Sequence, residues 1–461
     1  MSDGGGGGLF DGVLARGRVR EAVGDRAWLQ AMLDFEAALA RAEDRAGLLA
    51  PGDAAAIAAA CRAESFDLRA LGQAAREVGN PAEPVVRALT AAVKNAASDA
   101  AAGQVHRGAT SQDVLDTAMM LVAHRALGPL LEDVEGAADA AAALAARHRT
   151  TLATGRTLLQ PALPITFGLE AAAWLSGLDE AAALLVQIRE TRLAVQLGGA
   201  AGTLAALGDA GPAVLAHLAD GLRLRAPTLP WHTVRGRVGE LAAALGVAAG
   251  AIGKVARDIT LLAQGEIGEV QEGGGGHRGG SSTLPHKHNP VAAVSALACA
   301  SRAPGLVATL LAAAVQEHQR AAGAWQAEWR PFTDLFETVG SAAAWLRDGL
   351  EHLEVDEVRL RGNLDATRGS LLAERVSGAL APALGRLAAH DLVAAACAEV
   401  VATGRSFAEA LAARPEVAQR LAPGEIAQLL DPAGYLGSAG LFVDRALAAH
   451  AARRAPERRG R

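Results

Sequence analysis

The stretch Gly279-Gly280-Ser281-Ser282-Thr283-Leu284-Pro285-His286-Lys287-His288-Asn289-Pro290 holds the densest chemistry in this 461-residue chain. It follows a run of glycines at 273–276. Glycine gives the backbone conformations that other residues avoid, so the pattern predicts a loop that opens and closes. Two serines, a lysine and an asparagine supply a proton-transfer group, a cation and an amide. That set suits work on a carboxylate substrate. A serine-rich segment by itself reads as a linker; Lys287 and Asn289, locked between Pro285 and Pro290, argue for more.

Outward from this loop the chain reads as helix. It is 51% hydrophobic but only 3% aromatic, and rich in alanine, which predicts an all-α protein with thin Ala/Leu-packed interfaces. Between 170 and 197, Trp174, Leu178, Ala181, Leu185 and Ile188 recur every three or four residues, while Asp179, Glu180, Gln187, Arg189 and Glu190 take the other faces. Further long helices are predicted at 111–149, 238–272 and 290–322, each roughly 30 residues or about 45 Å. Their number implies a bundle, and their apolar character on several faces implies burial against other subunits. No strand-rich region, Walker loop or dinucleotide fingerprint is visible.

Composition shifts at 104–108 and 363–369 predict three domains: 1–109, 110–362 (the long-helix bundle, with the loop at 273–290) and 363–461. The glycine-rich residues 2–8 and the Arg-rich residues 453–461 are expected to be loose ends. A net charge of −6 leaves no broad basic face for nucleic acid, so an anionic substrate needs a local cluster of cations. Cys61, Cys299 and Cys397 have no metal-ligand spacing and read as buried reduced thiols. No secretory signal is apparent. No stretch reads as a membrane span: the apolar run at 291–315 is broken by Ser295, Ser301, Arg302 and Pro304. A cytoplasmic protein is expected.

Three more regions hold candidate chemistry. His106-Arg107-Gly108-Ala109-Thr110-Ser111-Gln112-Asp113 precedes a long helix. It reads either as a plain N-cap or, with its hydroxyls beside free N–H groups and the positive dipole end, as a carboxylate seat. Gly155-Arg156-Thr157-Leu158-Leu159-Gln160-Pro161 is a Pro-bounded turn, either a connection or a site. Pro230-Trp231-His232-Thr233-Val234-Arg235-Gly236-Arg237 gathers a histidine and two arginines, either a solvated cluster or an anion-binding one.

These four regions, in this order and spacing, resemble the fumarase/aspartase superfamily, and most closely its cycloisomerase subgroup. Residues 32–43, 196–208, 316–318 with 325–329, and 430–437 are similar to it as well, so the likeness spans nearly the whole chain. The resemblance implies a three-domain, all-α fold with a central long-helix bundle. It also implies a homotetramer in which three subunits build each active site. Ser281 is implied to move the proton at Cα, and Lys287 and Asn289 to hold the activating carboxylate. Thr110, Ser111 and Gln112 match the family's carboxylate-binding turn; Thr157 and Gln160 match its second motif. Ser282, His106, His232, Arg235 and Arg237 complete the expected substrate contacts. No metal or organic cofactor is implied, the partner being a small tricarboxylate, without nucleic acid or membrane.

Three departures refine the implied chemistry. Lyases that expel an amine carry histidine where this chain has Leu158. An amine needs a proton donor on leaving, whereas a carboxylate that adds within its own molecule does not. Leu158 therefore favours the cycloisomerases, which close a lactone ring on an unsaturated tricarboxylate during aromatic breakdown. The alternatives are an adenylosuccinate- or argininosuccinate-type lyase and, less in keeping with Ser281, Lys287 and Asn289, a non-catalytic structural homologue. His288 stands in place of a usual arginine, and Gly236 in place of an aspartate between two arginines, which leaves the separate roles of Arg235 and Arg237 open.

Overall fold

The structure is a computed structural model that describes residues 8–275, 278–281 and 283–455. Helix makes up 69% of it and strand 5%, so the all-α expectation holds. The expectation for residues 2–8 and 453–461 lies largely outside the described residues.

The helices that position the site are α1 (Asp25–Arg45), α2 (Ser111–Arg147), α3 (Phe167–Thr191), α4 (Gly236–Leu262), α5 (Val291–Ala300), α6 (Ala303–Ala312) and α7 (Ala324–Glu351). Two antiparallel hairpins accompany them: β1 (Leu152–Thr157) with β2 (Gln160–Thr166), and β3 (Val270–Glu272) with β4 (Leu353–Val355). The expected helices at 111, 170 and 238 are present with shifted ends. The helix expected over 290–322 is instead two helices. A turn at Ser301 and Arg302 parts them, and Pro304 sits in the first turn of α6, where its missing N–H has no partner to lose.

The chain divides into two compact units. One comprises residues up to 135, 180–253 and 295–346; the other comprises 136–179, 254–294 and 347 onward. The long helices contribute to both. In the first unit Trp28 of α1 stacks edge-on against Phe332, which meets Phe336, with centroids 5.9 and 5.2 Å apart. In the second, Phe167 sits edge-on to both His148 and Trp174. There too a cluster of Val376, Leu380, Val393, Phe407, Leu411 and Ile426 closes the C-terminal helices. Each such fully buried side chain contributes about 1.5–3 kcal/mol.

One expectation is overturned. Four helical stretches, Ser111–Arg147, Phe167–Thr191, Gly236–Leu262 and Val291–Ala312, are long and apolar enough to cross a membrane by length and composition. Alanine explains this, since it counts as apolar and lets helices pack on several faces. In Ser111–Arg147, 78% of the most apolar window is buried in protein, whereas in Val291–Ala312 the share is 39%. The cysteines are unpaired thiols, Cys61 and Cys299 buried and Cys397 half-buried.

Candidate active site

In the first unit the organising group is a carboxylate outside the expected set. Asp113 lies in the first turn of α2 and reaches back to accept the Thr110 N–H at 3.0 Å, half of a capping box. The same carboxylate accepts N–H groups from Gly198 (3.0 Å) and Gly199 (2.9 Å), and from Nε2 of His232 (2.7 Å). One buried anion thus joins the segments at 110, 198 and 232. Gly199 is required there: its φ is +67°, and a Cβ would come 2.9 Å from the Gly108 carbonyl oxygen.

One turn further along α2, Asp116 accepts both terminal nitrogens of Arg235 at 2.7 and 3.0 Å. Glu328 of α7 takes Nε of Arg235 at 3.0 Å, and the Trp325 indole donates to Asp116 at 3.1 Å. Burial alone would strip charge from Arg235, but Asp116 and Glu328 hold its pKa above the ordinary value. Arg235 is 2% exposed and spends its guanidinium on these two carboxylates. Gln112 is likewise inward, donating to Asp116 and to the His232 carbonyl (3.1 and 2.7 Å). Arg237 is half-buried, donating to the Arg192 carbonyl at 2.9 Å with its guanidinium 4.9 Å from the Trp231 ring. Its pKa is lowered, first by burial and then by Arg192.

Thr110 and Ser111 remain half-exposed at the helix start, and Nη1 of Arg320 donates to Thr110 Oγ1 at 2.8 Å. His106 pairs through Nδ1 with Glu36 at 2.7 Å. The structure therefore brings together His106, Thr110, Ser111, Gln112, His232 and Arg235.

In the second unit the Pro-bounded turn is the connection at the tip of the β1–β2 hairpin. Thr157 pairs with Gln160, and Leu158 and Leu159 form the two-residue loop with φ of +51° and +65°. Positive φ at both positions is what such a tight hairpin demands. Leu158 is 97% exposed. Arg156 anchors the hairpin through two bonds to the buried Glu269, at 2.9 and 2.6 Å.

The loop at 273–290 is also in the second unit. The carboxylate of Glu272 accepts the N–H groups of Ala292 (2.9 Å) and Ala293 (2.8 Å), capping α5 where the loop rejoins the helix. Backbone and side-chain N–H groups of Asn289 both bond the Gly279 carbonyl oxygen at 2.9 Å. Only glycine fits at 279, because a Cβ would lie 2.3 Å from the Asn289 oxygen. Within the ring so closed, Oγ of Ser281 accepts the N–H groups of Thr283 (3.3 Å) and Leu284 (3.0 Å). Two N–H donors on a hydroxyl oxygen favour its anionic form. Lys287 is exposed, and His288 and Asn289 line a polar cavity of about 610 Å³ with Glu272, Arg278 and Glu354. Ser282 lies outside the described residues.

Asp113, Asp116, Glu328, Arg320 and Glu36 were not among the expected site residues. The signal for the aspartates was present: two acids follow Gln112 inside the apolar run of α2, and buried acids are rarely without a partner.

The family described as Lyase matches residues 14–305, and the family described as Adenylosuccinate lyase C-terminus matches 369–446. The 3-carboxy-cis,cis-muconate cycloisomerase of Bradyrhizobium diazoefficiens is 48% identical over 95% of this chain and 97% of its own. The nitrosuccinate lyase of Streptomyces davaonensis is 43% identical over 95% and 94%. Among solved structures, the 3-carboxy-cis,cis-muconate lactonizing enzyme from Pseudomonas putida superposes with a TM-score of 0.90 at 44% identity, covering 96% of this chain and 99% of that one.

Proposed function

The chain belongs to the lyase family matched over residues 14–305, and on that premise we propose that it converts 3-carboxy-cis,cis-muconate into 4-carboxymuconolactone. The observation that carries the proposal is Leu158, an exposed apolar residue directly after Thr157 where a proton donor for a leaving amine would stand. Relatives that are 48% identical and bear the muconate cycloisomerase name support it.

In this reading a substrate carboxylate oxygen attacks the C=C bond. The displaced electron pair moves into the activating carboxylate, which becomes an aci-carboxylate. Lys287 and Asn289 hold that group and stabilise the added charge. The Ser281 hydroxyl then gives its proton to the carbon α to that group, and the alkoxide regains a proton from water. The two backbone N–H groups on Ser281 Oγ make the alkoxide accessible. Asn289 can meet substrate with its second Nδ2 hydrogen while the first stays bonded to Gly279. Thr110 and Ser111 at the α2 N-terminus, with His106, seat a second carboxylate. Thr157, Gln160 and Ser282 complete the contacts; Arg235 and Gln112 act from below, through the motif they fix. No cofactor enters this proton chemistry. The open apolar surface of α5 and α6 supports a homotetramer in which several subunits supply each site. A cytoplasmic location follows from this role in aromatic breakdown.

A second reading is supported by the nitrosuccinate lyase relative. A nitro group leaves as an anion and, like an adding carboxylate, needs no proton donor at the Leu158 position. Purified protein incubated with 3-carboxymuconate should deplete the diene absorbance. Unchanged absorbance, with nitrite released from nitrosuccinate, would overturn the proposal in favour of the second reading.

A further inference from the structure

Two carboxyl groups lie behind the first motif and have no part in the reaction above. Glu36 and Glu43 stand two turns apart on α1 and are 1% and 0% exposed. Nδ1 of His106 donates to Glu36 Oε1 at 2.7 Å. Among the described residues, Glu36 Oε2 and both oxygens of Glu43 are buried without a hydrogen-bond partner. Arg107 spends Nη1 on the Leu48 carbonyl and Gln104 Oε1, at 2.9 and 3.2 Å, rather than on Glu43. An ionised carboxylate in that position is strongly disfavoured, whereas a neutral acid is tolerated.

The local charges fit this division. Burial foremost pushes the Glu43 carboxyl up to about 8; Arg107 opposes the rise, Glu36 adds to it and His106 opposes it. For His106, burial works against the cation, but the hydrogen bond and charge of Glu36, with the charges of Asp113 and Glu43, raise its pKa above the ordinary value. His106 also has a φ of +61°, a backbone state that an L-residue holds only when its surroundings fix it.

We propose that Glu36 and Glu43 are positioning residues for the first motif. Glu36 orients His106 and favours its cationic form toward a substrate carboxylate. Glu43, as a neutral acid, keeps the space beneath the loop free of a second negative charge. Ionisation of Glu43 places an anion beside Glu36 and against an anionic substrate, so affinity falls in alkali while the proton-transfer step does not. The affinity part rests on the tricarboxylate reading; the protonation part does not.

The test uses the full-length protein and the variants Glu43→Gln and Glu36→Gln, with thermal unfolding confirming that each folds. Infrared difference spectra between pH 7 and 9.5 should show a protonated-carboxyl band that wild type loses in alkali and that Glu43→Gln lacks. Histidine-selective NMR should show His106 titrating at lower pH in Glu36→Gln. With 3-carboxymuconate, Glu43→Gln should match wild type at pH 7 and show a smaller rise in KM above pH 8, leaving the part due to loss of the His106 charge. Glu36→Gln should raise KM at pH 7 about ten-fold with a smaller change in kcat. An absent carboxyl band, or a His106 titration unmoved in Glu36→Gln, overturns the proposal whatever the substrate. If both spectroscopic results hold but the protein does not turn over 3-carboxymuconate, the tricarboxylate reading fails and the buried seat stands. Superimposed KM profiles with active protein overturn the role in affinity.

Discussion

Nε2 of His232 lies 2.7 Å from Oδ1 of Asp113, and that carboxylate also receives three backbone N–H groups, from Thr110, Gly198 and Gly199. Four donors fill the acceptor sites of one ionised carboxylate. Asp113 therefore works as a fastener: it fixes where the helix start and His232 sit. Asp113→Asn puts an NH2 group against these donors and should destabilise the protein by about 1–3 kcal/mol for each donor left unpaired. A fall in the thermal unfolding midpoint together with a fall in kcat/KM checks this; an unchanged midpoint would remove the fastener role.

Arg235 is engaged wholly by Asp116 and Glu328, so its removal should act on the fold before it acts on substrate. Arg235→Ala leaves two buried acids uncompensated and should destabilise the protein by about 3–5 kcal/mol. Arg235→Lys should recover part of that, because one ammonium cannot bridge both carboxylates in the same geometry. Denaturant unfolding of both variants measures the difference.

Leu158 and Leu159 hold positive φ at the hairpin tip, a conformation that costs an L-residue roughly 1–2 kcal/mol. Leu158→Asn with Leu159→Gly should raise the thermal unfolding midpoint, since those residues accept such a turn readily. A lowered midpoint would mean that the leucines stabilise the tip through contacts outside a single chain.

Ser281→Ala should leave assembly intact, as judged by light scattering, and reduce kcat by about 10²–10⁴-fold, the range for loss of a general acid–base group. Retention of the wild-type rate would remove Ser281 from the proton-transfer step.

Stability should fall with rising pH because of Glu43. Its folded-state carboxyl titrates near 8 against an ordinary 4.5, so the unfolded chain releases this proton first. The loss begins above about 4.5 and is complete once pH passes about 8. His106 contributes with the same sign, since its raised pKa stabilises below its ordinary value and that contribution fades in alkali. Glu43→Gln should flatten the slope, leaving the His106 part. Urea unfolding at pH 5, 7 and 9 resolves the two.

The long helices at 111, 170 and 238 were legible because their apolar period is strong, and two of the four motifs, at 106–113 and 230–237, fall at helix starts. The ends of the helices were less so, and α7 was missed: Pro331 reads as a breaker, yet the helix continues through it, held by Phe332, Leu335 and Phe336 in the core. The hairpin was hidden for a different reason. Its tip is Leu-Leu, without the Asn or Gly that ordinarily marks a tight turn. Candidate residues such as His106 and Ser281 were legible as chemistry. Their buried supports, Glu36 and Asp116, were not, because a charged residue on an amphipathic helix looks the same in sequence whether it faces water or a partner 70 or more residues away.

The two hydrogen bonds from Asn289 to the Gly279 oxygen have a mechanical consequence. They tie together Gly279 and Asn289, the two ends of a segment that carries both Ser281 and Lys287. While they hold, neither end of that segment moves without the other.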